Sequence, residues 1–574
     1  MPFLEENPRF KGIRLPPSGW VLTILLVVYI FVGLIGHDPW KNDDALTIGI
    51  AHDIAMNGNW LVLQVAGRTY PDAPLYYWLA AIIGQVLSWL LPFHDAARMT
   101  SGLYTLLSLE FVLLAARELH GKEYASAAPL ALAGSIGFLF HAHEAQPMLA
   151  ALAAHTAAYW ALTLLPRRAG LSSLIFGGAL SASFLANGLL PVITLLPVMT
   201  VALLCYSSSL REKLFFFLTA CGLGSVIAGM WLFFLYQSAP DYLASFFRAE
   251  FAAFGHSTPL VVNLGRYLNL LLWYAWPALP LACWALWAKR RSLTTPMIAL
   301  PLLAFIFNLV ILGWLASLRS PTALLLLPPL VLLCVPGVAT LRRGAANAFD
   351  WFAMMTFTFF TGIAWIGWSA LTLGWPERLA RQAVRLEPGF VIGNFDVAAF
   401  LFALTFTAIW FWMIITTPRS PMRGVMHWMS GLTLFWLLIA SLWMPWIDYG
   451  KTFRPLAASL EEALPEKVDC IAGTGLQLSF LASLDYFQSI HVIPQKDEGA
   501  KRCSWLLVQG RGHDPVSLAT AGWRPVWEGN RPSDRRAADK FHLYRRGRNA
   551  DPAPALINLN DDSGEATDSR AQKN

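Results

Sequence analysis

Apolar runs separated by short polar segments fill the first 446 residues of the chain. The first run, Trp20 to Ile35, has no small-residue cleavage site after it, which favours a retained membrane span over a signal peptide. Because a helix needs about 20 mostly apolar residues to cross a bilayer, the pattern predicts a polytopic α-helical membrane domain. Thirteen further runs lie at residues 75–92, 99–118, 125–141, 147–165, 172–186, 189–206, 214–236, 268–288, 296–316, 321–341, 350–373, 397–416 and 425–446.

Charges in the loops indicate which runs cross the membrane. Arg9, Lys11 and Arg14 precede the first run, so the positive-inside rule places the N-terminus in the cytoplasm. If the run at 75–92 also crossed, several basic loops would face outward; its aromatic start and its end at Pro92 fit a helix at the outer interface instead. Thirteen spans then place these residues inside: Arg117, Lys122, Arg167, Arg168, Arg211, Lys213, Lys289, Arg290, Arg291, Arg342, Arg343, Arg419 and Arg423.

The distribution of charge separates a second domain from the membrane domain. Only 14% of the residues are charged, whereas a soluble domain carries about 25%. Of the 78 charged residues, 34 lie in residues 447–574. This excludes an ordinary soluble enzyme, a disordered chain and a fibrous protein. It predicts a membrane domain at 1–446, an α/β domain outside the membrane at 447–548 and a disordered tail at 549–574.

The net charge of +6 fits basic cytoplasmic loops, and no basic stripe interleaved with aromatic residues suggests a nucleic-acid partner. Four of the six cysteines, Cys205, Cys221, Cys283 and Cys334, lie in or beside predicted spans, where packing explains them. Cys470 and Cys503 are the two cysteines of the outer domain. An oxidising compartment would allow them to pair, but the sequence leaves a disulfide open because it does not give the separation of their Cα atoms.

Candidate chemistry collects in the outward loops. Asp43 and Asp44 begin a segment of helical spacing that reaches Asn57. They either cap an interfacial helix or place a carboxylate in the outer mouth of the bundle as a general base. A divalent cation is possible there, although two carboxylates are too few ligands to claim one, and no Cys or His spacing indicates a metal site.

Other outward segments also carry ionisable groups. His141, His143 and Glu144 end a span, where they are either a solvated helix end or a contact to a polar substrate. The 237–267 loop holds Arg248, Glu250, His256 and Arg266. In the late turn at 317–321, Arg319 either reaches for lipid headgroups or binds a lipid phosphate through its planar fork.

The first outer loop also carries a recognisable motif. It begins with Asp43-Asp44, continues through Gly58-Asn59-Trp60 and Tyr70, and ends with Pro74-Leu75-Tyr76-Tyr77-Trp78-Leu79. It resembles the first outer loop of the aminoarabinose transferase and protein mannosyltransferase group, which are GT-C glycosyltransferases. The resemblance covers most of the chain, and it continues at Arg98, Gly121, Glu250, His256, Pro259, Trp276-Pro277, Ser317 to Pro321 and Lys451 to Arg454.

The resemblance implies a transferase that takes a sugar from a polyprenyl phosphate on the outer face of the bacterial inner membrane. It implies that Asp43 is the leading catalytic carboxylate, with Asp44 in the place of the family's Glu. It also implies that Arg319 contacts the donor phosphate. Two interfacial helices between the first and second spans are implied as well, in agreement with the loop charges.

Three positions depart from the family's pattern. The usual Lys-Pro-Pro-Leu reads Asp72-Ala73-Pro74-Leu75, so an acid replaces a lysine that is expected near the phosphate. Gln146 takes the place of a second-loop Asp, with Glu144 two residues earlier. The family's Ala-Lys-Gly-Pro pattern reads Ala186-Asn187-Gly188-Leu189 in this sequence. Either another basic residue compensates, with Arg68, Arg248 and Arg266 as candidates, or the donor or the activity differs.

The sequence is therefore interpreted as a GT-C type polytopic helical membrane protein, with about thirteen spans, two outer interfacial helices and a small periplasmic α/β domain. It is predicted to transfer a hexose or pentose from a polyprenyl-phosphate donor to lipid A, another glycan or a protein. Membrane lipids are further partners. The predicted catalytic residues are Asp43 and Asp44. The predicted phosphate-binding residues are Arg319, Arg68 and Arg248. The predicted substrate-binding residues are His143, Glu144, Glu250 and His256.

Two alternatives remain open. A lipid or sugar transporter places ionisable residues near the bilayer midplane. Here the acids cluster at outer loops, and Glu110 and His155 are the main exceptions. An inactive transferase-like scaffold is the other alternative, and the three departures from the family's pattern are the reason to keep it.

Overall fold

The structure is a computed structural model, which describes residues 19–40, 43–206, 209–255, 258–393, 395–495, 497–510, 522–531, 533–534 and 540–547. The part before the outer domain is almost entirely helical. Its elements are α1 Gly19–Phe31, α2 Asp43–Asn57, β1 Gln64–Val65, β2 Arg68–Thr69, α3 Leu75–Val86, α4 Phe93–His120, α5 Ala127–Ala133, α6 Ile136–Ala142, α7 Met148–Leu164, α8 Ala169–Asn187, α9 Leu189–Cys205, α10 Leu210–Ser238, α11 Pro240–Phe254, α12 Leu260–Tyr274, α13 Ala278–Ala288, α14 Pro296–Leu315, a 3₁₀ helix Pro321–Leu326, α15 Leu327–Thr340, α16 Arg343–Leu373, α17 Glu377–Leu386, α18 Val397–Thr416, α19 Arg423–Leu438, a π-helical turn Ile439–Trp443 and α20 Met444–Lys451.

The protein is a polytopic helical membrane protein. Within the described ranges, eight helices are long and apolar enough to cross a membrane, or nine if the bent pair α12 and α13 forms one span. The eight are Phe93–His120, Ala169–Asn187, Leu210–Ser238, Pro296–Leu315, Pro321–Thr340, Arg343–Leu373, Val397–Thr416 and Arg423–Lys451. The other four predicted spans coincide with shorter helices, namely α1, the pair α5 and α6, α7, and α9. The count of thirteen therefore stays a prediction.

Two short helices, α2 and α3, lie between α1 and α4, where the two interfacial helices are predicted. Helix α3 is too short to span a bilayer, since it has 12 residues. Its aromatic start faces the protein, because Tyr76 and Tyr77 are buried and the Tyr76 hydroxyl lies 2.6 Å from Oγ of Ser101 on α4. The aromatic residues that suggested an interfacial helix thus fix α3 to the bundle.

Small residues let the helices of the bundle approach closely. Gly337 of α15 packs directly on the backbone of Leu281 in α13, and Gly431 of α19 packs on the ring of Phe357 in α16. Neither position has room for a Cβ atom. In a bilayer, where apolar burial does not drive helix association, such close contacts supply the packing energy. The span that contains α15 is 94% buried, which makes it the centre of the bundle.

Tryptophans of α19 tie the bundle to helix ends. The indole N–H of Trp428 donates to the carbonyl oxygen of Gly134, at the break between α5 and α6, over 2.9 Å. The indole N–H of Trp436 donates to the carbonyl oxygen of Val32, just after α1, over 2.7 Å. Carbonyls at helix ends have no intrahelical donor, so these bonds satisfy groups that would otherwise be costly to bury in lipid.

A small mixed domain follows the bundle. Its elements are α21 Arg454–Ala463, β3 Ile471–Thr474, α22 Leu478–Gln488, β4 Val492–Pro494, a 3₁₀ helix Glu498–Arg502, β5 Trp505–Gln509, β6 Trp523–Gly529 and β7 Phe541–Arg546. The strands form one sheet in the order β4-β3-β5-β7-β6, in which β3 pairs in parallel with β4 and β5 while β7 pairs antiparallel with β5 and β6.

The outer domain contains the disulfide that the sequence left open. Cys470, just before β3, is bonded to Cys503, just before β5. The predicted tail at 549–574 lies outside the described residues, and the domain boundaries stay predictions.

The outer domain rests on the first loop of the membrane domain. Helix α22 packs on α2 where Gly49 faces Ala482, and a Cβ atom on Gly49 would lie 2.6 Å from Cβ of Ala482. Nδ1 of His94 is 2.8 Å from the hydroxyl of Tyr486 on α22. The guanidinium of Arg454 donates two hydrogen bonds to the carboxylate of Asp38, a bidentate pair. The outer domain is thus attached beside the start of α2.

We expect Gly49→Ala to weaken this docking, because the added methyl group overpacks the α2–α22 contact at a cost of about 1–3 kcal/mol. Limited proteolysis of the purified protein should cut the outer domain faster in the variant. Gly170→Ala is the matched control, because a Cβ atom on Gly170 has nothing within 4 Å. Equal cleavage rates in Gly49→Ala and wild type would contradict the tight contact.

Candidate active site

A buried arginine organises the end of the bundle that the outer domain contacts. This end, formed by the start of α2, the start of α4 and the loop at residues 143–147, is called the mouth below. Arg98, near the start of α4, is 0% exposed. Its Nη1 donates to Oδ1 of Asp95 over 3.0 Å, and its Nη2 lies 3.2 Å from Oδ2 of Asp44. It also donates to three backbone carbonyl oxygens after α1, those of Leu34, His37 and Asp38. One cation thereby joins α4, α2 and the segment that leads into α2.

Asp44 is fully engaged by this network. Besides Arg98, its carboxylate accepts hydrogen bonds from the backbone N–H of Trp40 over 2.9 Å and from that of Ala145 over 2.8 Å. Burial raises the pKa of Asp44, but the charges of Arg98 and His37, together with hydrogen bonds from Arg98 and from the Trp40 N–H, keep it below its usual range. Asp44 is therefore an ionised anchor that faces into the protein.

Asp43 faces the other way. Its side chain is exposed at the first position of α2, and Nε2 of Gln146 lies 3.3 Å from its Oδ2. Gln146 is buried, and its Oε1 accepts from the backbone N–H of Met148 over 3.3 Å, which orients the amide. Two adjacent acids at a helix N-terminus thus have different environments, and Asp43 is the one that a substrate can reach.

The loop between α6 and α7, residues 143–147, contacts both acids through Ala145 and Gln146. Oγ of Ser101 donates to the carbonyl oxygen of Glu144 over 2.5 Å, which fixes the loop to α4. Burial raises the pKa of the Glu144 carboxyl to about 7, with a further rise from the charges of Asp44 and Asp43 and an opposing effect of Lys451. Glu144 can therefore hold or release a proton near neutral pH.

A group of tyrosines and one acid lines the same region. Asp72, the residue in the place of the family's lysine, accepts from the hydroxyl of Tyr77 over 2.7 Å, and burial raises its pKa to about 6. Burial also raises the pKa of the Tyr70 hydroxyl; the charges of Asp72 and Asp43 raise it further, and that of Arg319 lowers it. Tyr70 thus lies within electrostatic reach of Asp43, Asp72 and Arg319.

Glu250 contributes to the same region and caps a helix. Its Oε2 accepts from the backbone N–H of Leu189, the first residue of α9, over 2.7 Å. The carboxylate packs against Gly188, whose φ of 65° suits glycine, and no side chain would fit between them. Burial raises the pKa of Glu250 to about 6, which the Leu189 N–H opposes and the charge of Asp72 supports.

The structure places the other predicted residues elsewhere. His143 is buried, with Nδ1 2.8 Å from the Leu139 carbonyl oxygen and Nε2 2.7 Å from the Tyr29 carbonyl oxygen. Burial lowers the pKa of Arg68 on β2, and the charge of Asp497 in the outer domain opposes this effect. Arg248 is exposed on α11, and Arg319 is exposed in the turn after α14. His256 lies outside the described residues.

The structure therefore brings Asp43, Asp44 and Glu144 together, and the charges of Asp43 and Arg319 both act on the Tyr70 hydroxyl. It does not bring His143 or Arg68 into direct contact with them. The sequence named Lys451 only as part of the resemblance and Gln146 only as a departure from it. In the structure, Nζ of Lys451 lies 4.0 Å from the ring centroid of Trp40. The sequence could have indicated Gln146 by its position alone, because it stands where the family has a second-loop Asp. In the structure its amide contacts Asp43.

The Asp43–Asp44 pair does not offer a divalent cation two available carboxylates, because Asp44 is engaged by Arg98 and backbone N–H groups. In the part of the chain that the structure describes, no three or more His, Cys, Asp or Glu side chains form a group that could hold a metal ion.

No protein-family model matches the chain, and no curated protein sequence matches it. Solved structures do. ArnT from Cupriavidus metallidurans in the apo state matches with a TM-score of 0.65 and 16% identity, over 93% of this chain and 99% of that one. The same protein bound to undecaprenyl phosphate matches with a TM-score of 0.67 and 15% identity, over the same shares. The archaeal oligosaccharyltransferase AglB from Archaeoglobus fulgidus has a TM-score of 0.42 at 10% identity, over 85% and 69%.

The chain thus has the fold of ArnT, an aminoarabinose transferase of the GT-C type, over nearly its whole length. This confirms the predicted resemblance to that group.

We expect Arg98→Met to destabilise the protein by about 3–5 kcal/mol, because it leaves Asp44 and Asp95 buried without their cation. In wild type the lowered pKa of Asp44 contributes stability above its unfolded pKa, and this contribution is lost only as pH falls through the folded value. Without the charge and hydrogen bonds of Arg98, burial raises the pKa of Asp44, so Asp44 becomes protonated more readily as the pH falls. The loss of unfolding free energy in Arg98→Met should therefore be smaller at pH 5 than at pH 8.

Thermal unfolding of the purified protein at the two pH values measures this effect. Arg117→Met, on the exposed cytoplasmic end that is predicted for the same helix, is the control and should leave the unfolding temperature nearly unchanged. If Arg98→Met lowers the unfolding temperature no more than Arg117→Met does, Arg98 does not anchor Asp44 and Asp95 as described.

We expect Glu144→Gln to stabilise the protein at high pH. The folded pKa of about 7 lies above the ordinary 4.5, so the stability that Glu144 provides is complete below pH 4.5 and is lost as pH rises through about 7. The neutral amide avoids that loss. The free energies of unfolding of variant and wild type should coincide at pH 4 and differ by about 3 kcal/mol by pH 8, because each pKa unit between 4.5 and about 7 is worth about 1.4 kcal/mol. Glu461→Gln, at an exposed site of the outer domain, should show no pH-dependent difference.

Proposed function

We propose that this chain is a membrane glycosyltransferase, which moves a sugar from a polyprenyl-phosphate donor to an acceptor on the periplasmic face of the bacterial inner membrane. The observation that carries the proposal is an exposed carboxylate, Asp43, held by Gln146 at the mouth of an ArnT-like fold. The ArnT structure with undecaprenyl phosphate supports a polyprenyl-phosphate donor. Thirteen spans with an outward C-terminal domain belong to the same proposal.

The proposed reaction is a direct displacement. The acceptor hydroxyl oxygen forms a bond to the anomeric carbon of the sugar while the bond from that carbon to the phosphate oxygen breaks. Asp43 takes the hydroxyl proton, the polyprenyl phosphate leaves with the bonding electron pair, and the configuration inverts. General-base help of this kind contributes about 10²–10⁴-fold to the rate. A phosphate acceptor would need no base.

Gln146 and Asp44 prepare Asp43 for this step without contacting the acceptor. The Gln146 amide holds one carboxylate oxygen and leaves the other for the acceptor. Asp44 fixes the start of α2 to Arg98 and to the loop at 143–147. Because a reacting group has to be held within a fraction of an ångström, such supports decide how often Asp43 is correctly placed.

Arginines bind the leaving phosphate in this proposal. Arg319 is the first choice, because its charge and that of Asp43 both act on the Tyr70 hydroxyl. Its planar fork can bind two phosphate oxygens and offset the charge that develops on them. Asp72 stands where the family has a lysine, so Arg248, two residues before Glu250, is the second choice. Arg68, whose pKa is influenced by the charge of Asp497 in the outer domain, is the third.

Glu144, Glu250, His143 and His256 are the proposed substrate-binding residues. Burial raises the pKa of the Glu144 carboxyl to about 7 and that of Glu250 to about 6. Each can therefore donate a hydrogen bond to a sugar hydroxyl when protonated and accept one from it when ionised. For His143 the structure suggests an indirect role, because its ring nitrogens face carbonyl oxygens of α6 and α1.

We expect Asp43→Asn to lower the turnover of sugar transfer by about 10²-fold or more, because the amide cannot take the acceptor proton. Arg319→Ala should lower turnover and weaken donor binding, because the leaving phosphate loses its cation. The measurement is transfer by purified protein in liposomes, with lipid extracts as the donor source and mass spectrometry of the products.

Glu461→Gln and Arg291→Gln are matched controls, since both residues are exposed and lie away from the mouth. Wild-type turnover in both Asp43→Asn and Arg319→Ala would overturn the assignments. If wild-type protein instead moves a labelled lipid across the bilayer without forming a product, the transporter alternative stands. If it does neither, the scaffold alternative stands.

A further inference from the structure

Helix α17, which joins α16 to α18, carries a basic stripe that the proposed reaction does not use. Arg378, Arg381, Gln382 and Arg385 follow the spacing i, i+3, i+4, i+7, so they lie on one face of the helix. All four are exposed, and together they line one surface concavity. Four long polar side chains around a concave surface form a place where an anionic group can sit.

Two other faces of α17 explain its position. Ala380 is buried, and the indole N–H of Trp446 on α20 donates to the carbonyl oxygen of Ala383 over 3.3 Å. Leu379 and Leu386 are exposed on the flank between the buried face and the basic face. A helix with a basic face and an exposed apolar flank lies in the plane of a membrane interface, with its arginines at the level of the lipid headgroups.

The side of the membrane follows from the contacts at the end of α17. The carboxylate of Glu387 packs on Gly450, and the hydroxyl of Tyr449 donates to the carbonyl oxygen of Pro388 over 3.1 Å. Gly450 immediately precedes Lys451, whose ammonium group lies over Trp40 at the mouth. Helix α17 is therefore at the same end of the bundle as Asp43 and the outer domain.

Three arginines at this end need an explanation, because the positive-inside rule accounts only for basic residues on the opposite side. Neighbouring acids do not account for Arg378 and Arg381 either. Among the residues that the structure describes, neither Arg378 nor Arg381 forms an ion pair with a carboxylate. Guanidinium groups with their forks available bind phosphate oxygens in pairs.

We infer that the basic face of α17 is a binding site for the phosphate of an anionic lipid headgroup in the leaflet on the side of the outer domain. The apolar flank of α17 contacts the acyl chains of that lipid, and Arg378 and Arg381 hold its phosphate. The contacts between α17 and α20 keep the bound lipid next to the mouth. The site shares no residue with the proposed transfer chemistry and does not depend on it.

The experiment uses the full-length protein, purified in a mild detergent and examined by native mass spectrometry. Dioleoylphosphatidylglycerol is the anionic probe, and dioleoylphosphatidylcholine is the zwitterionic one. Wild type should retain phosphatidylglycerol in preference. Arg378→Gln/Arg381→Gln should lower that retention roughly fivefold for each arginine removed. Arg290→Gln/Arg291→Gln, which removes two exposed arginines elsewhere, is the matched control and should retain phosphatidylglycerol as wild type does.

The paired lysine variant, Arg378→Lys/Arg381→Lys, separates charge from the planar fork and should recover only part of the retention. It also keeps the test valid if the glutamine variant does not fold. Three results would overturn the site: equal retention by the glutamine variant and wild type, an equal loss in the control pair, or displacement of the lipid by millimolar inorganic phosphate, which would make the site one for free phosphate.

Discussion

The guanidinium of Arg98 is fully buried, and its charge has to be balanced by groups from separate parts of the chain. Asp95 comes from its own helix, Asp44 from the start of α2, and three carbonyl oxygens from the segment after α1. Through Asp44 the same charge also fixes Ala145 in the second outer loop. A buried ion pair lacking one partner costs several kcal/mol, so these parts are held in one arrangement. The geometry around Asp43 depends on that arrangement.

Asp43 and Asp44 show how two identical side chains next to each other acquire different properties. A helix turns about 100° per residue, so neighbours at its start point in different directions. Asp44 points into the bundle, where a cation and two backbone N–H groups keep it ionised and immobile. Asp43 is exposed at the mouth and accepts a hydrogen bond from the amide of Gln146. Position in the helix, rather than residue type, separates the buried anchor from the exposed carboxylate that the proposed reaction uses.

Much of the fold could be predicted from the sequence because its signals are local. Apolar runs, loop charges and the aromatic residues at 76–78 indicated the membrane domain and the position of α2 and α3. The count of spans was less certain, because α12 and α13 are bent by 103° at Trp276-Pro277 and several other helices are short. The site was predictable only in part. The contacts of Asp44 with Ala145 and of Glu250 with Leu189 join residues 101 and 61 positions apart, and no local pattern encodes them. The Cys470–Cys503 pairing was open for the same reason.

The attachment of the outer domain to the first loop has a consequence for how the protein is made. Asp38 donates its backbone N–H to Asp448, which lies 410 positions later in the chain. At a synthesis rate of about 5–20 residues per second, roughly 20–80 s separate the emergence of the two residues from the ribosome. During that time α2 has no α22 to pack against, so its surface is exposed to other proteins of the membrane. The mouth is thus completed last, after the segment from Asp448 onwards has been synthesised.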